Sequence, residues 1–297
     1  MKPITRKDFI IRSVAGGLSM AIIGPQVLTD PFTDLAVVRG DDPSQATRAA
    51  VKAIGGVERF VRPGATVLVK PNASFERTPE QAANTNPAVV GTIIAMCHEA
   101  GAARVMVADH TLHDYEKSFR LSGIAAATRS AGGELLLNSK DEFIKVDLGG
   151  RALGKWPVFK GALDADVIIN VPIVKHHSLT RVTAGAKNLL GLCGGTRILL
   201  HLRLNQTISD LAAFFKPGLT VADGYRILAR NGPSGGNIGD TILTRTIIAS
   251  SDMIAVDARA AMLLNCRGVD ITHLRTAHQR GLGTYKLSEL HIREFTI

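Results

Sequence analysis

The densest run of reactive side chains lies in DVIINVPIVKHHSLTRVTAGAKNLLGLCGG, Asp166 to Gly195. Within it, Lys175, His177 and Lys187 are the candidates for acid–base or nucleophilic chemistry. An imidazole titrates near neutral pH, and His177 is the expected acid–base group. A lysine crowded by other cations has its pKa depressed and becomes a nucleophile. Thr183 and Asn188 add hydrogen-bonding groups for a polar ligand. The β-branched run Val167, Ile168 and Ile169 reads as a strand covered on both faces, and Pro172 stops its ladder donation. Ligands of open α/β sheets bind beyond the carboxyl ends of strands. Lys175 to Asn188 therefore reads as a site carried by a loop and the start of a helix. Cations at a helix N-terminus oppose the helix dipole, a conflict that a bound anion would resolve.

Other strand ends supply further candidates. Lys70 and Asn72 follow the buried strand Thr66–Lys70, and Asp223 follows Leu219–Ala222. Asp109 ends the strand Arg104–Ala108 and precedes His110 and His113. A mixed nitrogen and oxygen metal site could be drawn from Asp109, His177 and His201, with His176, His110 or His113 as alternates. Asp109 or Asp223 could instead orient His177. Gly232 and Gly235 lie in NGPSGGNIG, a glycine-rich run whose backbone N–H groups could meet an anion. It lacks the GxGxxG and GxxxxGK[ST] spacings, so it is not read as a nucleotide site. The three cysteines, Cys97, Cys193 and Cys266, are far apart and contain no CxxC pair, which argues against a disulfide framework or a cysteine-ligated cluster within this chain.

These candidates need a frame of buried strands, and the chain has the material for one. It has 297 residues, 45% hydrophobic, with a formal charge of +9. Aromatics are 5% and there is no arginine-rich tract. The positive charge suits nucleic acid, an anionic membrane surface or an anionic small molecule; the few aromatics and the missing arginine-rich tract argue against nucleic acid, and the Lys/His-rich strand ends make an anionic small molecule the expected partner. Helical patterns over Pro43–Ile54, Pro87–Ala100, Phe119–Ala131, Ile208–Phe215 and Met253–Leu264 alternate with the strands. The expected fold is α/β, a mostly parallel central sheet with helices on both faces, in a single domain over residues 31–297. Residues 1–30 read as an export-signal-like or anchoring segment: TRKDFI is similar to a twin-arginine signal with Lys7 in place of the second arginine. The expectation is a periplasmic or exported protein that touches the membrane only through that segment.

VLVKPN, TNPAVV, ADVIINVPIVKHHSLTRVTAGAKNLLG, VADG, NGPSGG and ASSDMIAVDARAA together resemble the family called domain of unknown function 362, from about Leu35 to Gly283. Lys175, His177, Thr183, Lys187 and Asn188 carry its most specific pattern. The resemblance implies frequent export or fusion to ferredoxin-like iron–sulfur modules; this chain lacks the cysteine-rich module, so a redox role would need a redox partner. It does not imply a reaction, and no cofactor is identified. Three functions stay open: an enzyme or cofactor carrier for an anionic small molecule, a metal-binding or iron–sulfur-associated redox protein, and a non-catalytic binding or assembly protein.

Overall fold

Alternation of buried side chains along each strand organises the molecule. The computed structural model describes residues 33–297. The signal-like segment lies outside the described residues. Phe32–Ile297 forms one compact unit. In β1 (Leu35–Arg39), Leu35 and Val37 enter one apolar core while Ala36 and Val38 enter another. Both faces of the sheet are therefore covered, as continuous β-branched runs require. Asp42 accepts from the backbone N–H groups of Ser44 and Gln45 and starts α1 (Pro43–Ala53). β2 (Thr66–Pro71) follows, then α2 (Pro87–Glu99), capped by Asn86, and β3 (Arg104–Val107).

The single helix expected over Phe119–Ala131 is two, α3 (Tyr115–Leu121) and α4 (Ile124–Ser130). Gly123, at φ 75°, turns the chain between them. β4 (Glu134–Leu135) closes one sheet edge, and β5 (Phe143–Asp147) pairs with β6 (Lys155–Phe159) as a separate hairpin. After α5 (Lys160–Asp164) comes β7 (Val167–Val171).

Pro172 ends that strand, but the chain does not become a loop. It continues as β8 (Ile173–His177), which turns back into β9 (Arg181–Thr183). Pro172 removes one donor, yet its fixed φ suits extended backbone, so the chain can re-enter the sheet beside a different neighbour. There follow α6 (Gly185–Asn188), α7 (Arg197–His201), α8 (Leu204–Phe215), β10 (Leu219–Leu228), β11 (Thr241–Ser250), α9 (Met253–Met262), α10 (Thr272–Gln279) and β12 (Ile292–Thr296). β10 runs past the expected end at Ala222. A register shift between Gly224 and Arg226 bends it, and it pairs first with β7 and then with β8.

The main sheet has the order β12-β1-β11-β10-β7-β2-β3-β4, with β8 and β9 branching from β10. The β10-β7-β2-β3-β4 run is parallel, and β11 is antiparallel to both of its neighbours. Side chains of α1, α2 and α4 pack in one core and those of α8, α9 and α10 in the other. The fold is α/β, with a mostly parallel sheet between helical layers. Parallel pairing of Lys70 with Asn170 and Pro71 with Val171 brings two carboxyl ends side by side, where the site is built.

Candidate functional site

The loops after β2 and β3, strands β8 and β9 and helices α6 and α7 line a cavity that opens to solvent. Strand periodicity places Lys175 and His177 on one side of β8, and both line it. Thr183 from β9, Lys187 and Asn188 from α6, Asn72 and Asp109 from the loops after β2 and β3, and His201 from α7 also line it.

Lys70 stands immediately behind this wall. Its Nζ donates to Asp109 Oδ1 at 2.8 Å, with both side chains fully buried, and to Asn188 Oδ1 at 3.3 Å. Burial nevertheless lowers the Lys70 pKa, against the attraction of Asp109. Asn188 knots the wall together. Its Nδ2 donates to Asn170 Oδ1 and the Lys70 carbonyl, and its Oδ1 also accepts from Asn72 Nδ2 at 3.0 Å. Gly191 permits this packing, since a Cβ there would lie 1.8 Å from Asp109 Oδ1.

Lys175 and Lys187 differ sharply. Lys175 Nζ donates to Asn72 Oδ1 at 3.0 Å and to the Ala83 carbonyl, and lies 4.7 Å from the centroid of the Phe75 ring. Burial, then repulsion from Lys187, hold its pKa well below the usual lysine range. A neutral amine still has two protons, which matches those two acceptors. Lys187 has no hydrogen bond or ion pair with any described residue. Burial, reinforced by Arg197, lowers its pKa to about 7. Its helix is held from outside: the Asp257 carboxylate of α9 accepts from Ala186 N at 2.9 Å and from Gly185 N.

The histidines are set in opposite tautomers by the backbone. His177 Nδ1 accepts from the N–H groups of Leu179 at 3.1 Å and Thr180 at 3.4 Å, so the ring proton sits on Nε2. His201 Nδ1 lies 2.9 Å from the Arg197 carbonyl and must donate to it, which leaves a lone pair on Nε2. Burial, with Lys187 and Lys175 adding repulsion, lowers the His177 pKa to about 3. Such a shift favours the neutral ring, whose Nε2–H is then its donor. His201 is also lowered, first by burial.

Arg197 is the chief lining residue missing from the expectations. Its Nη1 donates to the His110 carbonyl, while its buried Nε has no partner among the described residues. The Thr183 hydroxyl is likewise buried and without a partner among the described residues. A basic residue in the segment TRILLHLRL gave no sign of pointing inward; its i, i+4 spacing to His201 was the available signal.

Other expected residues lie elsewhere. Asp223 does not line the cavity. It accepts from Asn86 N at 2.7 Å and Tyr225 N at 3.0 Å, and burial raises its pKa to about 6. Gly232 and Gly235 are also outside the lining, whereas Pro233 between them is part of it. A Cβ on Gly232 would lie 2.0 Å from the His176 carbonyl, so that glycine serves close packing. Among the described residues no group of three or more His, Cys, Asp or Glu is placed to hold a metal ion, so the expected Asp109–His177–His201 set is not assembled. The Asp109 carboxylate is taken by Lys70 and by Ala73 N at 2.6 Å. His110 Nδ1 lies 2.6 Å from the Cys193 carbonyl, and His113 Nδ1 accepts from Glu76 N. Cys193 is buried, with its pKa pushed up to about 12, which keeps it a thiol.

A family profile described as Domain of unknown function (DUF362) matches residues 67–262, a span that contains every element of this cavity. The chain belongs to that family. This DUF362 protein is similar to the thylakoid-associated protein sll1697 of Synechocystis sp., with 28% identity over 271 residues, 84% of this chain and 80% of that one. Among solved structures it is similar to the lactate racemase apoprotein from Thermoanaerobacterium thermosaccharolyticum, at 11% identity and TM-score 0.49, covering 75% of this chain and 57% of that one. A Thermotoga maritima protein aligns at 13% identity and TM-score 0.42, over 75% of this chain and 60% of that one. The DUF362 chain thus spans less than two thirds of either solved chain.

Proposed function

We propose that the cavity binds a small anionic molecule and that the protein is an enzyme acting on it by proton transfer. One observation carries the reading: basic side chains in the cavity lining outnumber its carboxylates, and two of them, Lys187 and Arg197, have no ion pair among the described residues. Within the cavity wall the buried Arg197 Nε and Thr183 hydroxyl have no hydrogen-bond partner among the described residues. Asp109, the one carboxylate in the lining, is already paired with Lys70. An anion in the cavity balances the Arg197 charge.

Within the bound complex His177 Nε2–H donates to an oxygen of the ligand. Neutral imidazole is a suitable electrophile when its pKa lies far below the working pH. Lys187, titrating near neutrality, and His201, with its free Nε2 lone pair, are the groups able to accept a proton.

The test is calorimetric titration of the dialysed protein with acetate, phosphate, pyruvate and lactate, repeated with Arg197→Met and Lys187→Met. The reading expects at least one anion to bind the wild type and to bind Arg197→Met at least tenfold more weakly. Equal binding by wild type and both variants would refute it. The exported or membrane-anchored location read from residues 1–30 joins this proposal. The name of the Synechocystis relative, which associates that protein with thylakoids, points the same way, and cell fractionation checks it.

A further inference from the structure

We infer that Lys187 is a covalent carbonyl-binding residue, and that the cavity takes a small 2-oxo acid which Lys187 holds as an imine. The inference rests on the anion-binding reading above and adds the ligand's second functional group. Three buried or half-buried lysines meet at this site, and their surroundings separate them. Lys70 is tied to Asp109 and Asn188, and Lys175 to Asn72 and the Ala83 carbonyl. Lys187 alone of the three presents its amine to the cavity with no described partner. An amine with no partner among the described residues, near Arg197, Lys175, His177, His201 and His273, whose nearest carboxylates are both engaged, Asp109 by Lys70 and Asp257 by the amides of Gly185 and Ala186, has little reason to be kept protonated. Its pKa near 7 agrees. Such a lysine is a nucleophile towards carbonyl carbon.

The neighbouring groups define the rest of the substrate. The Arg197 guanidinium, which lines the cavity and has no ion pair among the described residues, suits a carboxylate. His177 Nε2–H suits the carbonyl oxygen, and His201 Nε2 suits a proton in transit. The step balances within these groups. Lys187 Nζ forms a bond to the carbonyl carbon, and the π pair moves to oxygen. Two protons pass from nitrogen to that oxygen with His201 as carrier. The C–O bond breaks, water leaves through the open mouth, and a C=N bond remains. No oxidant or metal is required.

The experiment uses the full chain, with pyruvate as probe and sodium borohydride as trap, followed by intact mass measurement and peptide mapping. The expected result is one reduced pyruvyl adduct per chain, on Lys187. Lys187→Met and Lys187→Arg should lose it, and the exposed-residue control Lys216→Arg should retain it. About half of Lys187 is neutral at pH 7, against about 1 in 2,500 of a free lysine side chain, so trapping on Lys187 should run about 1,000-fold faster than on N-acetyl-lysine used as the reference. Methyl pyruvate, lacking the charge, should label Lys187 at least tenfold more slowly than pyruvate.

Pyruvate bound by calorimetry without a trapped adduct overturns the covalent inference and leaves the anion reading intact. Neither binding nor adduct for any anion overturns both. An adduct spread over surface lysines, or equal labelling by the ester, overturns the assignment of Lys187 to a 2-oxo acid. Circular dichroism of the variants separates lost chemistry from lost folding.

Discussion

Gly191→Ala is the sharpest structural test of the wall behind the cavity. The added methyl would lie 1.8 Å from Asp109 Oδ1, 2.8 Å from Lys70 Nζ and 2.9 Å from Lys70 Cε. It cannot fit unless the carboxylate and ammonium move apart, and both side chains are buried. Separating a buried pair costs about 3–5 kcal/mol, because each charge is left uncompensated. For a domain of this size that corresponds to a fall in Tm of roughly 6–20 °C. The assay is urea unfolding of Gly191→Ala in two backgrounds, the wild type and Lys70→Met/Asp109→Ala. In the second background the obstructing carboxylate is gone, so the same methyl should cost about 2–3 kcal/mol less. A cost below about 1 kcal/mol in the wild type, or equal costs in both backgrounds, would refute the reasoning.

Three further outcomes are expected. Lys187 has a folded pKa of about 7, below that of the unfolded chain, so the unfolded state binds more protons between about pH 7 and 10. Wild-type stability should therefore rise with pH across that window. Lys187→Met should be the more stable protein at pH 6, by up to about 4 kcal/mol, with the gap closing towards pH 10; urea midpoints at the two ends decide it, and a pH-independent gap contradicts the assignment. Asn188→Ala removes the group that joins Lys70, Asn72 and Asn170 and should cost about 2–4 kcal/mol in the same assay. Asn188→Asp places a second carboxylate near Lys70 and should raise the Lys187 pKa, read from the pH dependence of borohydride trapping.

Much of the frame was legible because buried parallel strands write themselves as apolar β-branched runs, as in Val67–Val69 and Val167–Ile169. The strand-end rule then gathers Lys175, His177, Lys187 and Asn188 around one hollow, with Lys70 behind it. What the sequence hides is pairing. Lys70 and Asp109 are 39 positions apart, and nothing in either segment announces that one neutralises the other. Asp223 has the type and placement of a site residue, yet its carboxylate faces two backbone N–H groups. Pro172 is an equally local signal that misleads, since it ends one ladder without ending the extended chain. Tautomers are hidden for the same reason: His177 and His201 differ only in which backbone group each ring nitrogen meets.

Helix α6 spans four residues, too few to hold its own shape in water. Its direction is dictated by Asp257, a residue of α9 with no place in the cavity lining, whose carboxylate grips the first two amides of the turn. Gly185 must stay bare for that grip, since a Cβ would come within 2.8 Å of both Asp257 Oδ1 and Met253 Cγ. The aim of the Lys187 amine is thus inherited from a neighbouring helix. Changes along α9 that touch no ligand should retune reactivity at the pocket, so a search for altered specificity has reason to begin there.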